Sequence, residues 1–211
     1  NQLETIGAYA FQKCVRLISV TLPESLTAMY GCVFSGCTKL KSLTVPQYVT
    51  QMHSHWNATD HSSLEESSIE TVVFEGGRDS IPYSACSQAT RLQKVVIPTG
   101  VVKIYNYAFY RCTALNGDGI TIPTGVTWVG AYAFSGCTAL TGHGVSLPDT
   151  VTGIGEGIFQ NCSGITEFAL PDSVKSIGDR AFAGCNFETA VLPNQLETIG
   201  AYAFQKCVRL I

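Results

Sequence analysis

Three histidines lie close together in a polar stretch of the chain, at His53, His55 and His61. Imidazoles are common ligands of zinc and other transition metals, which need three or four converging donors. His53 and His55 could supply two donors and His61 or Asp60 a third, so this stretch is the candidate for a metal-dependent enzyme. No cysteine pair or second pair of ligands at fixed spacing supports it. A solvated polar loop is the simpler interpretation, and we expect no metal and no cofactor here.

Nine cysteines are the other residues that could carry chemistry. Only Cys32 falls outside a regular spacing, and Cys32 with Cys37 is the pair most worth testing for a disulfide. Disulfide frameworks stabilise small chains with little core, whereas one recurring cysteine position is typical of a buried free thiol. No histidine lies in a recognisable nucleophile motif, so we expect no catalytic residues and no enzyme. The recurring cysteines are Cys14, Cys37, Cys86, Cys112, Cys137, Cys162, Cys185 and Cys207.

The segments that hold these side chains repeat about every 24 residues. A short hydrophobic triplet precedes a proline in each repeat, except that Glu75 replaces one proline. The outer residues of the triplet are apolar and the middle one is small, which predicts a short β-strand with one buried face. Proline then ends the strand, since it has no amide to donate. The middle, solvent-facing residues are Thr21, Thr44, Val73, Val96, Thr121, Ser146, Ala169 and Val191.

A second segment follows each proline, as in Val126 to Cys137. Its apolar residues are three and four positions apart, which predicts a short helical or 3-10 turn. Glycines such as Gly130 and Gly155 come just before it, where a tight bend is needed. No single repeat could bury its own apolar face, so the repeats are expected to stack into a solenoid.

The frame Ile-Pro-x-x-Val-x-x-Ile-Gly-x-x-Ala-Phe-x-x-Cys-x-x-Leu resembles the BspA-like class of leucine-rich repeats. The best matches run from Ile122 to Leu140, from Leu147 to Ile165 and from Leu170 to Cys185. The resemblance implies an α/β, β-rich leucine-rich-repeat solenoid with a right-handed stack of short parallel strands on its concave face. Short helical, 3-10 or extended segments would form the convex face. Similar proteins are mostly microbial cell-surface or secreted proteins implicated in adhesion, and the family has no catalytic residues to transfer.

We expect residues 1–211 to form a single solenoid of about eight repeats of roughly 22–26 residues. The stretch 47–92 departs from the frame: it lacks Ala-Phe-x-x-Cys after Pro46 and has Tyr83 where phenylalanine is expected. Insertions of this kind often gather on a binding face.

Residues 1–18 and 194–211 have the same sequence, at an offset of 193 residues. Two interpretations are open: a larger tandem array with this super-repeat, or an engineered boundary. We expect a fragment of a longer protein.

Composition narrows the function further. The chain has 13 Lys and Arg against 16 Asp and Glu, a net charge of −3, which excludes the basic footprint of a nucleic-acid-binding protein. No apolar run approaches the roughly 18 residues that span a bilayer. We therefore expect a non-catalytic module, at the cell surface or extracellular, that binds a protein ligand such as a host surface protein. It would use the small residues of its concave sheet and the 47–92 region. The alternative is a purely structural spacer.

Overall fold

The computed structural model describes residues 2–53, 62–141 and 145–209. The chain forms about eight turns of a parallel β-solenoid, which we divide into nine rungs that begin at the proline position. Within the described residues the one helical element is a 3-10 helix at Gly117–Gly119. The rungs are residues 2–22, 23–45, 46–74, 75–97, 98–122, 123–147, 148–170, 171–192 and 193–209.

Short strands occur at two places on the rungs. In the described residues they are β1 (Thr5–Ile6), β2 (Ala28–Met29), β3 (Ser42–Val45), β4 (Thr71–Phe74), β5 (Ser80–Ile81), β6 (Lys94–Val96), β7 (Lys103–Ile104), β8 (Trp128–Val129), β9 (Gly153–Ile154), β10 (Ser176–Ile177) and β11 (Thr198–Ile199). Strands β3, β4 and β6 precede the proline position and form what we call the first sheet. The other strands follow the proline position and form the second sheet.

The first sheet is parallel and in register, with Ser42 opposite Thr71 and Thr71 opposite Lys94. Its inward residues are buried and its outward residues are more exposed, as the period of two predicts. Most of the equivalent triplets of the other rungs keep this alternation but form no such strand in the described residues; Thr121, for example, is exposed between buried Ile120 and Ile122. In the eighth rung Ala190, Val191 and Leu192 are all exposed. The expectation of a strand in every triplet was therefore wrong.

The second sheet was not anticipated from the sequence. Its strands have two residues each and pair in parallel in three groups: β1 with β2, β5 with β7 and β8, and β9 with β10 and β11. In six of these eight strands an exposed or half-buried residue is followed by a buried isoleucine or valine, as in Lys103–Ile104. In every rung but the third, the second apolar residue of the repeat thus belongs to a strand and not to a helical turn.

The segment between each second-sheet strand and the cysteine position is an arch of consecutive β-turns. In the sixth rung the Ala133 amide donates to the carbonyl three residues earlier (3.3 Å), whereas the Phe134 amide donates across to Ile158 (3.0 Å). Tyr132 and Gly136 have positive φ angles of 57° and 77°, which no right-handed helix contains. The helical segments expected on the convex face are not found in the described part of the chain.

Phenylalanine rings stack along the solenoid axis and fill its interior. Phe134 lies 5.2 Å from Phe109 and 5.7 Å from Phe159, centroid to centroid. Beside them, the Cys137 thiol donates to the backbone oxygen of Phe109 in the preceding rung (3.0 Å). All nine cysteines are free thiols. Seven of the eight recurring cysteines are buried as predicted, and Cys14 is exposed. Cys32, outside the recurring position, is buried too and forms no disulfide with Cys37.

Cys86 does not belong to the cysteine position, contrary to the prediction from spacing. Ser84 and Gln88 have positive φ angles and so match Tyr107 and Arg111 of the next rung. Cys86 therefore takes the place of a phenylalanine, and its backbone oxygen accepts from the Cys112 thiol (3.0 Å). In the third rung Leu64 likewise replaces phenylalanine.

Candidate functional site

The predicted partner-binding residues are the middle residues of the triplets, which the alternation of buried and exposed positions turns outward. The register of the first sheet sets Thr44 beside Val73 and Val73 beside Val96. Val73 is half-buried and the other seven are exposed. We call the set the small-residue strip, one residue in each of eight successive rungs: Thr21, Thr44, Val73, Val96, Thr121, Ser146, Ala169 and Val191.

Two clefts open beside this strip. A cleft of about 470 Å³ is lined by Glu167, Ala169, Asp172 and Val191, among others, and Val191 itself is 79% exposed. A smaller one of about 170 Å³ lies around Val96 and Thr121. Small neutral side chains on an exposed sheet leave room for a partner's backbone to approach closely. The clefts hold no histidine or cysteine that could act as a base or nucleophile.

The histidine cluster is only partly described. The His53 ring meets the Tyr83 ring edge-on at 5.3 Å, and His53 pairs with Ser62 in a single antiparallel bridge. His55 and His61 lie outside the described residues. In residues 2–53, 62–141 and 145–209, no group of three His, Cys, Asp or Glu side chains could hold a metal ion.

A row of tyrosines was missed by the sequence analysis. The rings of Tyr107 and Tyr132 stack at 5.3 Å with 9° between their planes, and Tyr83 packs on Tyr107 at 5.7 Å. A cleft of about 330 Å³ lies beside them. The Tyr132 hydroxyl donates to Glu156, and this bond raises the pKa of Tyr132 to about 12. The signal was present, since tyrosine precedes Ala-Phe in several repeats.

Arg78 occupies a buried position that valine holds in other rungs. Its side chain is 6% exposed, and Nη2 donates to the backbone oxygen of Pro46 (2.6 Å). The guanidinium lies 5.0 Å from the centroid of the Phe74 ring. Nε and Nη1 have no partner in the described part of the chain, and burial lowers the pKa of Arg78 to about 10. An arginine at the valine position of the repeat was the missed signal.

No helix among the described residues has the length and apolar character needed to cross a membrane. No curated protein matches the chain. Solved structures of similar fold include the following two. A leucine-rich cell surface protein of Faecalibacterium prausnitzii has 21% identity and a TM-score of 0.55, over 99% of this chain and 68% of that one. A leucine-rich repeat protein of T. pallidum has 22% identity and a TM-score of 0.51, over 99% and 72%.

The sequence model of the family described as "BspA type Leucine rich repeat region" matches residues 1–116 and 79–211, in six copies. These two ranges cover the whole sequence, and they include the rungs whose phenylalanine and cysteine positions are described above. The solenoid of parallel strands agrees with the fold of both similar structures. The chain therefore belongs to the BspA-type leucine-rich repeat family.

Proposed function

We propose that the chain is a non-catalytic protein-binding module of the cell surface, and that the small-residue strip contacts the partner. One observation carries the proposal: eight successive rungs each present one small side chain at the same position, and seven of these are exposed. An extended surface of this kind is how repeat proteins bind their partners.

The chemistry of the strip favours a protein over a charged polymer. Its residues are threonine, serine, alanine and valine, so they offer hydroxyl groups and apolar contact but no net charge. Val96 is 39% exposed and Val191 is 79% exposed, which leaves apolar surface that a partner would remove from water. The name of the F. prausnitzii structure, a cell surface protein, supports a surface location.

The test places a long charged side chain on the strip. We expect the variant Thr44→Arg with Val96→Arg to bind at least about tenfold more weakly, because each guanidinium blocks close approach along the sheet. Binding is measured by biolayer interferometry against purified extracellular-matrix proteins, each immobilised separately. Circular dichroism and thermal unfolding confirm that the variant is folded.

The matched control is Val102→Arg with Thr127→Arg. Val102 has the same 39% exposure as Val96, but it precedes the second-sheet strand β7. This control is expected to bind as the unchanged protein does. Equal losses in both variants, or none in either, would refute a role for the strip.

A structural spacer is the second candidate. Backbone hydrogen bonds join successive rungs along the arches, for example from Phe159 to Ala181 (2.8 Å) and from Phe182 to Ala203 (2.8 Å). A spacer would tolerate arginine on the strip and would lose its function when a whole rung is deleted.

A further inference from the structure

The cleft of about 330 Å³ beside the tyrosine row lies on the arches of the fourth to seventh rungs. We call it the tyrosine cleft. No residue of the small-residue strip lines it. Its lining comes from four successive rungs, so the cleft follows the axis of the solenoid and can take an elongated ligand. Six of the lining side chains bear on its chemistry: Gln88, Tyr107, Tyr110, Arg111, Tyr132 and Gln160.

Two glycines leave room for the side chains of this cleft. Gly136 holds the arch position of Arg111 in the next rung, and a Cβ there would lie 3.0 Å from Cγ of Arg111. Gly157 holds the position of Tyr132 in the next rung, and a Cβ there would collide with the Tyr132 ring. The arginine stem and the tyrosine ring therefore lie over the glycine of the following rung. A larger residue at either glycine would displace them.

The polar groups of the cleft both donate and accept hydrogen bonds. Gln88 and Gln160 are half-buried, and each amide has a carbonyl oxygen that accepts and an amino group that donates. The phenol groups of Tyr107 and Tyr110 also do both, and the guanidinium of Arg111 adds several donors in one plane. A ligand that pairs with all of them must itself both donate and accept along its length.

The charges at the cleft balance. The Arg111 guanidinium lies 5.2 Å from the centroid of the Tyr110 ring. At the other end, the Tyr132 hydroxyl donates to the carboxylate of Glu156. With one cation and one carboxylate, the cleft has no excess of positive charge to attract a phosphate or a sulfated polymer. A neutral ligand is favoured.

The tyrosine rings offer edges and hydroxyl groups more than flat faces. Tyr107 and Tyr132 stack on each other with 9° between their planes, and Tyr110 meets Tyr107 at 83°. A proline-rich peptide packs on exposed aromatic faces, and its prolines have no amide to donate. Such a peptide would leave the amide oxygens of Gln88 and Gln160 unpaired, which costs binding energy.

We propose that the tyrosine cleft binds a short neutral oligosaccharide. Every hydroxyl group of a sugar both donates and accepts a hydrogen bond, as the glutamine and tyrosine side chains of the cleft do. Neighbouring hydroxyls on a sugar ring can pair together with one planar amide or guanidinium, which fixes the orientation of the ligand. The proposal does not rest on the protein-binding role of the strip, because the cleft is formed by the arches alone.

The test is isothermal titration calorimetry of the full chain with neutral di- and trisaccharides of glucose, galactose, mannose and N-acetylglucosamine. We expect at least one of them to bind with a dissociation constant below about 1 mM. Inorganic phosphate and oligoproline, titrated in the same way, are expected to bind more weakly than that sugar.

A double variant places the binding in the cleft. Tyr110→Phe with Gln160→Leu keeps the ring and the side-chain length but removes a hydroxyl and an amide, so we expect about tenfold weaker binding of the sugar. The matched control is Tyr105→Phe with Gln93→Leu, which changes two exposed residues that do not line the cleft. Tyr105 meets the Trp128 ring edge-on at 5.6 Å, as Tyr110 meets Tyr107. The control should bind as the unchanged protein does, and circular dichroism checks that both variants are folded.

Three results would overturn the proposal. One is that none of the sugars binds with a dissociation constant below about 1 mM. Another is equal binding, or an equal loss, in the cleft variant and its control. The third is tighter binding of oligoproline or phosphate than of any sugar, which would assign the cleft to a peptide or an anion.

Discussion

Residues 42–97 and residues 98–192 hold their rungs together by different hydrogen bonds. In 98–192 the arches bond directly, as when Phe134 donates to Ile158 (3.0 Å). In 42–97 the first sheet joins the rungs through β3, β4 and β6. Among the described residues, no second-sheet pair joins the third rung to the fourth, and the Leu64 amide donates to Oγ of Ser62 (3.2 Å) and not to the next arch.

The interiors of the two regions differ in the same way. The later rungs stack phenylalanine on phenylalanine, whereas the third and fourth rungs have Leu64 and Cys86 there. Buried serines and Arg78 occupy part of the irregular interior. A solenoid therefore needs a ladder of backbone bonds at each junction, but not always at the same place on the rung. Between the third and fourth rungs, where no second-sheet pair is formed, strands β4 and β6 of the first sheet supply the backbone bonds.

The largest expected effect is a loss of stability with rising pH, to which the regular rungs contribute most of the buried thiols. Burial raises the pKa of Cys112, Cys137 and Cys162 well above the usual value. Their stabilisation is complete below the pKa of an unfolded thiol, about 8.5, and is lost as the pH rises toward the folded-state values. Above pH 8.5 each of these three thiols lowers the free energy of unfolding by about 1.4 kcal/mol per pH unit. Together they lower it by about 4 kcal/mol per pH unit.

Urea unfolding at pH 8, 9 and 10 measures this loss. Cys137→Ala should reduce the slope by the share of one thiol. The irregular rungs have Ser67 and Ala89 at the cysteine position, but burial also raises the pKa of Cys86, so the fourth rung contributes one thiol as well. A free energy of unfolding that stays constant from pH 8 to pH 10 would contradict the expectation.

The next effect tests the two interiors at one position of the repeat. Phe134→Ala should lower the free energy of unfolding by about 4 kcal/mol, because it removes a fully buried ring stacked on both sides. Cys86→Ala should cost only about 1 kcal/mol, since a single heavy atom is removed. Equal costs in urea unfolding would mean that the irregular rungs are packed as tightly as the regular ones.

The smallest effect concerns the buried arginine. Arg78→Met should raise the free energy of unfolding by about 1 kcal/mol, because it removes a buried charge with two unpartnered nitrogens while keeping a side chain of similar length. Arg91 is exposed, so Arg91→Met is the control and should change stability by less than about 0.5 kcal/mol. A loss of stability in Arg78→Met would show that its bonds to the Pro46 loop outweigh the cost of burial.

The solenoid and the exposed strip could be predicted because both follow from spacing. A period of two set Thr44 and Val96 outward whether or not their neighbours formed strands. The arch could not be predicted, because consecutive β-turns give the same spacing of three and four as a helix. Positive φ angles distinguish these turns from a helix, but they occur at Tyr132 and Arg180 as well as at glycines. The residue types therefore did not indicate where the turns lie.

Other features depend on tertiary contacts between rungs. Cys86 is off register because a cysteine fits both buried positions of the arch, and only the backbone angles decide between them. The clefts beside the strip and the stack of Tyr107 on Tyr132 require neighbouring rungs to be in place. Neither feature can be predicted from the sequence of a single repeat.

The thiols that donate to backbone oxygens also bear on how the protein matures. Because eight of its nine cysteines are buried as free thiols, the native form contains no disulfide that an oxidase would have to make. Cys14, the exposed exception, offers a single attachment point for a fluorophore.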